Sequence, residues 1–128
     1  MLYRLGVLVV ILHLIVVCPH SIAHRLMHIE MSTWQNIYIA LVILVAPIAA
    51  GVLLWRRFRL GFIVLALSMA GSFVFGVYYH FIVAGPDNAL SLHPHAWSQA
   101  FLISAALLAV VELAGVVVGL FGIKSGKA

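Results

Sequence analysis

Four long apolar stretches, separated by short polar segments, constrain this chain more than any other feature. They run from Leu5 to Ala23, from Trp34 to Trp55, from Leu60 to Val83 and from Trp97 to Ile123. At about 1.5 Å of rise per residue, each is long enough as a helix to cross a hydrocarbon layer of about 30 Å. The sequence therefore predicts an all-α fold: a polytopic membrane four-helix bundle in a single domain, 1–128, with spans at about 5–28, 33–55, 60–82 and 96–122.

The composition agrees with lipid as the surrounding solvent. Hydrophobic residues make up 66% of the 128 residues and charged residues only 8%, whereas soluble domains average about 45–50% apolar and about 25% charged residues. The net charge of +4 is not arranged as a basic stripe with interleaved aromatic residues, the pattern that binds a phosphate backbone. The lipid bilayer is therefore an expected partner and nucleic acid is not.

Basic residues predict how the bundle is oriented. If both termini are inside, six of the seven basic residues lie in the cytoplasm and Arg25 alone lies outside, as the positive-inside rule describes. The six are Arg4, Arg56, Arg57, Arg59, Lys124 and Lys127. Trp34 and Trp97 then mark the outer interface and Trp55 the inner one. We therefore expect a multi-pass protein of the cell (inner) membrane, N-in/C-in, whose other face points to the periplasm or exterior.

A second interpretation of the first stretch stays open. Arg4, the apolar run up to Cys18 and the small-residue pattern Ser21-Ile22-Ala23 resemble a cleavable signal peptide, which would make His24 the new N-terminus. However, a histidine lies inside the apolar run, and the helical pattern continues past Ala23. Both features favour a membrane helix that is retained in the mature protein.

Two short motifs predict local structure in the outer loops. Ser32-Thr33-Trp34-Gln35 has the residues of a capping box at the start of the second helix. Gly85-Pro86-Asp87-Asn88 has the residues of a tight turn between the third and fourth helices. In addition, Pro47 predicts a kink inside the second helix.

Histidine is the informative polar residue, and the chain contains seven of them. Those at or beyond the outer boundary are His20, His24, His28, His80, His93 and His95. On the first helix, at about 100° per residue, the histidines from His13 to His28 fall within an arc of about 80°. Met27 and Met31 extend this face, because with His24 and His28 they follow an i, i+3, i+4, i+7 spacing.

The histidine-rich face predicts a transition-metal site between the first and third helices. Imidazole binds copper, zinc, iron and nickel, while thioether sulfur favours Cu(I), so the mixed face favours copper. Zinc is one alternative; another is a b-type haem held by His20 or His24 together with His80. The expected metal ligands are His24, His28, His80, Met27, Met31 and His20. Residues expected to orient a ligand or to lie in the adjoining loops are Glu30, Asp87, His93 and His95.

Glu112 lies deep inside the fourth stretch, where an ionisable side chain needs a partner or a function. Counted from the inner helix ends, His13 lies at a similar depth. These two residues are therefore expected to form an intramembrane polar pair. The pair would either relay a proton or, with a neutral Glu112, only hold the bundle together.

Three functions remain open from the sequence. The preferred one is metal handling, alone or as an accessory subunit of a membrane metalloenzyme. The alternatives are a structural subunit or assembly factor without metal, and a proton-coupled carrier that uses Glu112 and His13. The sequence has no GxSxG or phosphate-loop motif, so we expect no enzyme acting alone, but rather a non-catalytic subunit of a membrane oxidoreductase.

Small residues at four-residue steps predict where helices approach closely, within the chain or against other membrane subunits. They are Ser68, Ser72 and Gly76 on the third helix, and Gly115 and Gly119 on the fourth. In general architecture, such a bundle resembles the small multi-span accessory subunits of respiratory oxidases and membrane monooxygenases. This resemblance assigns no role to any residue of the chain.

Overall fold

The computed structural model describes residues 1–125, and this part of the chain contains four long helices and no strand. All four are long and apolar enough to span a membrane, which confirms the predicted fold. Lys127 lies outside the described residues. The helices are α1 (Leu2–Leu26), α2 (Thr33–Trp55), α3 (Leu60–Ile82) and α4 (Ser98–Ser125).

The bundle packs around three apolar layers that follow one another from the end near Leu2 to the opposite end. We call these ends inner and outer, after the orientation that the sequence predicts. α4 contacts both α1 and α3, and the inner part of α2 contacts both α1 and α3. The inner layer consists of Val9, Val10, Ala50, Leu54, Phe62, Leu65 and Met69. The middle layer consists of Val17, Ile43, Phe75 and Leu108. The outer layer consists of Ala23, Ala89, Phe101 and Ala105.

Helix α1 ends at Leu26, two residues before the predicted boundary. His28 adopts a left-handed conformation with φ 53°, and the N–H of Ile29 donates to the carbonyl of His24 at 3.1 Å. This is the Schellman arrangement that commonly ends helices, with histidine where glycine is usual. Arg57, with φ 62°, ends α2 in the same way. His28 is consequently turned away from the helical histidine face.

Both predicted loop motifs are present. The N–H of Gln35 donates to Oγ of Ser32 at 3.3 Å, and the N–H of Ser32 donates to Oε1 of Gln35 at 2.8 Å, which completes the capping box. In the next outer loop, the N–H of Asn88 donates to the carbonyl of Gly85 at 3.1 Å and closes the tight turn.

The small-residue faces of α3 and α4 pack against each other inside the bundle. A Cβ atom added to Gly119 would lie 2.8 Å from the backbone nitrogen of Ala66, and one added to Gly115 would lie 2.5 Å from Cγ of Met69. Ser72 of the same α3 face is fully buried. These residues therefore serve contacts within the chain, and an approach of other subunits through them stays a prediction.

Pro47 follows a π-helical segment of α2, Ile39–Val45. Proline has no N–H to donate to the carbonyl of Ile43, four residues earlier. The part of α2 before Pro47 packs mainly against α3 and has few contacts with α1. The outer halves of α1 and α2 are therefore separated, and a cavity lies between them.

Candidate metal centre

Three histidines from two helices meet near the outer end of the bundle. His20 and His24 are one turn apart on α1, and His80 lies in the π-helical turn Tyr78–Ile82 that ends α3. One ring nitrogen from each lies within 4.8 Å of the other two. Their exposed fractions are 5%, 9% and 5%. We call these three residues the histidine cluster.

Phe101 on α4 fixes the position of the histidine cluster from the opposite side. Its ring centroid lies 4.8 Å from those of His20 and His24 and 5.3 Å from that of His80. The phenyl ring is fully buried. The imidazoles are thus held between an aromatic wall and the cavity, which limits the orientations open to them.

A hydrogen bond to Ser104 determines which nitrogen of His20 carries a proton. The Ser104 hydroxyl lies 2.7 Å from the carbonyl of Ala100, so it donates there. It is also 2.8 Å from Nδ1 of His20, and its one hydrogen is already used, so it accepts from this nitrogen. His20 therefore keeps its lone pair on Nε2, which points toward His80.

The protonated nitrogen of His80 follows from its contacts with Asp87. Nδ1 of His80 lies 3.1 Å from the carbonyl oxygen and 3.2 Å from Oδ1 of Asp87, which both accept only. The proton of His80 is therefore on Nδ1 and the lone pair on Nε2.

Two lone pairs thus face each other across the histidine cluster. Nε2 of His20 and Nε2 of His80 are only 3.2 Å apart, so in the ion-free protein a proton lies between them, and a metal ion would take its place. With metal–nitrogen bonds of about 2.05 Å, this separation corresponds to an N–metal–N angle of about 103°, close to the tetrahedral value. The spacing therefore fits two ligands of one ion.

Asp87 supplies a buried negative charge next to two of these rings. Its Oδ1 lies 3.2 Å from Nε2 of His24 as well as 3.2 Å from Nδ1 of His80. The contacts are not aligned as hydrogen bonds, and neither carboxylate oxygen has a hydrogen-bond partner among the described residues. Nδ1 of His24 is buried without a partner as well. Because a buried carboxylate needs a compensating charge, the site favours a bound cation.

The cavity beside the histidine cluster has a volume of about 480 Å³. Arg25, Met31 and Asn36 line it near the outer ends of α1 and α2, and Glu112 lines it in the middle of the bundle. The histidines of the cluster line the wall between these two ends. The cavity thus connects the outer mouth, the histidine cluster and Glu112.

The structure brings His13 and Glu112 together, as the sequence predicts. Nδ1 of His13 lies 3.7 Å from Oε1 of Glu112, and the two residues are 0% and 3% exposed. On the other side of the ring, Nε2 of His13 lies 2.9 Å from the carbonyl oxygen of Ile43. This carbonyl cannot accept from residue 47, because proline has no N–H. The pair is close, although 3.7 Å is longer than a hydrogen bond.

Several predicted site residues lie outside the histidine cluster. Met27 packs with the outer apolar layer, and Met31 lines the cavity near its mouth. The exposed ones are His28, Glu30, His93 and His95. Of the predicted candidates, the structure therefore assembles His20, His24, His80 and Asp87.

Sequence reasoning did not identify Ser104, which orients His20. A signal was present, because Ser104, Leu108 and Glu112 follow each other at four-residue steps and so share a face of α4. A polar residue on the same face as a membrane carboxylate indicates the side of α4 that faces the interior.

No protein-family model, curated protein or solved structure matches this chain. The chemistry of the histidine cluster is therefore the basis on which a function can be assigned.

Proposed function

We propose that this chain is a membrane protein that binds one divalent transition-metal ion, copper in preference to zinc, through His20, His24 and His80. The observation that carries the proposal is the 3.2 Å separation of the Nε2 atoms of His20 and His80. The third histidine lies within 4.8 Å and the unpartnered carboxylate of Asp87 supplies negative charge. A divalent ion satisfies all four groups at once.

The partners of the far ring nitrogens support a metal site. Histidines that bind metals almost always donate their other N–H to a carboxylate, a backbone carbonyl or another polar group. His20 donates to Ser104, and His80 faces both the carbonyl and the carboxylate of Asp87. Both rings are thereby held in the tautomer that presents Nε2 to an ion.

Copper is preferred on grounds of affinity. Sites built from nitrogen and oxygen ligands bind divalent ions more tightly along the first transition row up to Cu²⁺, and Zn²⁺ binds less tightly. Three imidazoles suit both ions.

The cluster is less suited to a haem. A b-type haem between His20 and His80 would place its macrocycle between the two rings, whereas their Nε2 atoms are 3.2 Å apart and Phe101 packs against both. A bare ion needs no such space.

We further propose that the protein lies in the cell membrane with both termini inside, so that the cavity mouth opens to the periplasm or exterior. The distribution of basic residues supports this orientation. A cluster with all its histidines buried suits delivery or storage of the ion, alone or as the accessory subunit of a larger membrane oxidoreductase.

Metal analysis of the purified, lipid-reconstituted protein tests the proposal. We expect about one ion per chain after incubation with Cu²⁺ and removal of excess, with weaker retention of Zn²⁺. The double variant His20→Gln/His80→Gln should lose this ion because both facing lone pairs are removed. The matched control is His28→Gln, which changes an exposed histidine two residues after the end of the same helix.

Two outcomes would contradict the proposal. A folded wild-type protein that retains no copper or zinc would support a purely structural subunit. A double variant that retains as much metal as the His28→Gln control would place the bound ion elsewhere.

A further inference from the structure

Glu112 lines the cavity beside the histidine cluster, and His13 contacts this carboxyl group. At about 1.5 Å of rise per residue, Glu112 is roughly 21 Å from the outer end of α4, near the middle of the bundle. A Cβ atom placed on Gly76 would lie 3.8 Å from Cδ2 of His80 and 3.9 Å from Oε2 of Glu112. The carboxyl group and the ring of His80 are therefore less than about 8 Å apart.

The proline in α2 determines the tautomer of His13. The carbonyl of Ile43 accepts from Nε2 of His13 at 2.9 Å, so the proton of a neutral ring is on Nε2. Nδ1 then carries a lone pair, is fully buried and has no hydrogen-bond partner. It faces Oε1 of Glu112, another acceptor, at 3.7 Å.

Two acceptors that face each other in an apolar interior repel unless a proton lies between them. An ionised carboxylate in the middle of a membrane is costly, so the proton belongs on Glu112. In this state the carboxyl O–H points to the free lone pair of His13, and the pair carries no net charge. The other polar groups that line the same cavity are Ser21, Arg25, Asn36, Ser72 and the histidine cluster.

We propose that Glu112 is a proton-exchange site coupled to the histidine cluster: when a divalent ion binds there, Glu112 releases its proton through the cavity to the outer water. The inference rests on the proposed metal site and explains how the charge of the bound ion is compensated. The ion displaces the proton that lies between Nε2 of His20 and Nε2 of His80, and the O–H bond of Glu112 breaks as well. No electron is transferred, and both protons leave through the cavity.

The charges explain why binding and release are linked. A divalent ion brings two positive charges into a region where the carboxylate of Asp87 supplies one negative charge. Ionisation of Glu112 supplies the second, less than about 8 Å from the ring of His80, where attraction through the protein interior is stronger than in water. The ion, Asp87 and Glu112 then carry no net charge together, which the membrane interior favours.

Counting protons during a metal titration tests this coupling. In weakly buffered lipid nanodiscs, Cu²⁺ is added and the released protons are measured with a pH indicator, while bound metal is determined in parallel. Wild-type protein should release about one proton more per bound ion than Glu112→Gln, because glutamine has no proton to give. Glu30→Gln, which changes an exposed acid, should behave as wild type.

Infrared difference spectroscopy provides a second measurement, which can be made on the wild-type protein even if a variant fails to fold. The chain has only three acidic side chains, so the carbonyl stretch of a protonated, buried carboxyl group is readily assigned. This band should be present in the ion-free wild type and decrease when Cu²⁺ binds. The Glu112→Gln variant should lack it.

The possible results separate the two proposals. A wild type that binds no metal but shows the carboxyl band refutes the metal site and leaves Glu112 protonated without a role in exchange. A wild type that binds one ion, with the same proton count as Glu112→Gln or with an unchanged carboxyl band, refutes the coupling and leaves the metal site intact.

Discussion

Replacing Asp87 by asparagine should weaken metal binding ten- to hundredfold while leaving the fold intact. Asparagine has nearly the same shape and leaves the backbone carbonyl of residue 87 free to accept from Nδ1 of His80, but it has no charge. The substitution therefore isolates the electrostatic contribution of the one carboxylate that touches both His24 and His80.

The magnitude follows from the distances. Oδ1 of Asp87 lies 3.2 Å from Nδ1 of His80, so it is roughly 6 Å from an ion bound at Nε2 across the ring. At an effective dielectric constant of about 20, its attraction for a divalent ion is about 5 kcal/mol. This is an upper limit, because in the ion-free protein the same carboxylate already interacts with two imidazoles. Loss of such partners in metal sites typically costs 10–100-fold in affinity, or about 1.4–2.7 kcal/mol.

Competition with a chelating dye, at constant pH in nanodiscs, measures this change in affinity. Glu30→Gln removes one exposed negative charge and serves as the matched control for net charge. An Asp87→Asn protein with wild-type unfolding and wild-type affinity would refute the reasoning, since the buried carboxylate would then contribute nothing to cation binding.

Two further predictions concern the fold and its orientation. Gly119→Ala should destabilise the bundle by about 1–3 kcal/mol in SDS unfolding, because its Cβ would lie 2.8 Å from the backbone nitrogen of Ala66. Gly85→Ala is the control and should not destabilise the bundle, because nothing lies within 4 Å of a Cβ at that position. Equal effects of the two substitutions would contradict the close α3–α4 packing. In intact cells and in a cysteine-free background, Ser91→Cys should react with an impermeant thiol reagent and Phe58→Cys should not; the reverse would overturn the proposed orientation.

The membrane-length helices were predictable because length and polarity largely determine them. A helix that crosses lipid must be long, apolar and internally hydrogen-bonded, and the segments between such helices are short here. The capping box at Ser32 was also predictable, since its partners are only three residues apart in sequence. Local rules were sufficient for these features.

The membership of the histidine cluster was only partly predictable. His24 and His80 follow from helical spacing and depth, but His28 shares that spacing and lies outside the cluster. The difference is the left-handed conformation of His28, which ends α1 two residues early and which a helical pattern cannot reveal where glycine is absent. Ser104 depends on how α4 is rotated against α1, which only the packed bundle determines.

Among the described residues, the inner apolar layer separates the cavity from the inner end of the bundle. Val9, Leu54, Phe62, Leu65 and Met69 fill this end, and the cavity lining extends inward to Glu112. In this conformation an ion that enters from the outer end would depart on the side from which it came. The occupancy of the site would then follow the supply of metal and the acidity of one compartment alone, so the protein would act as a reservoir facing that compartment rather than as a passage between two.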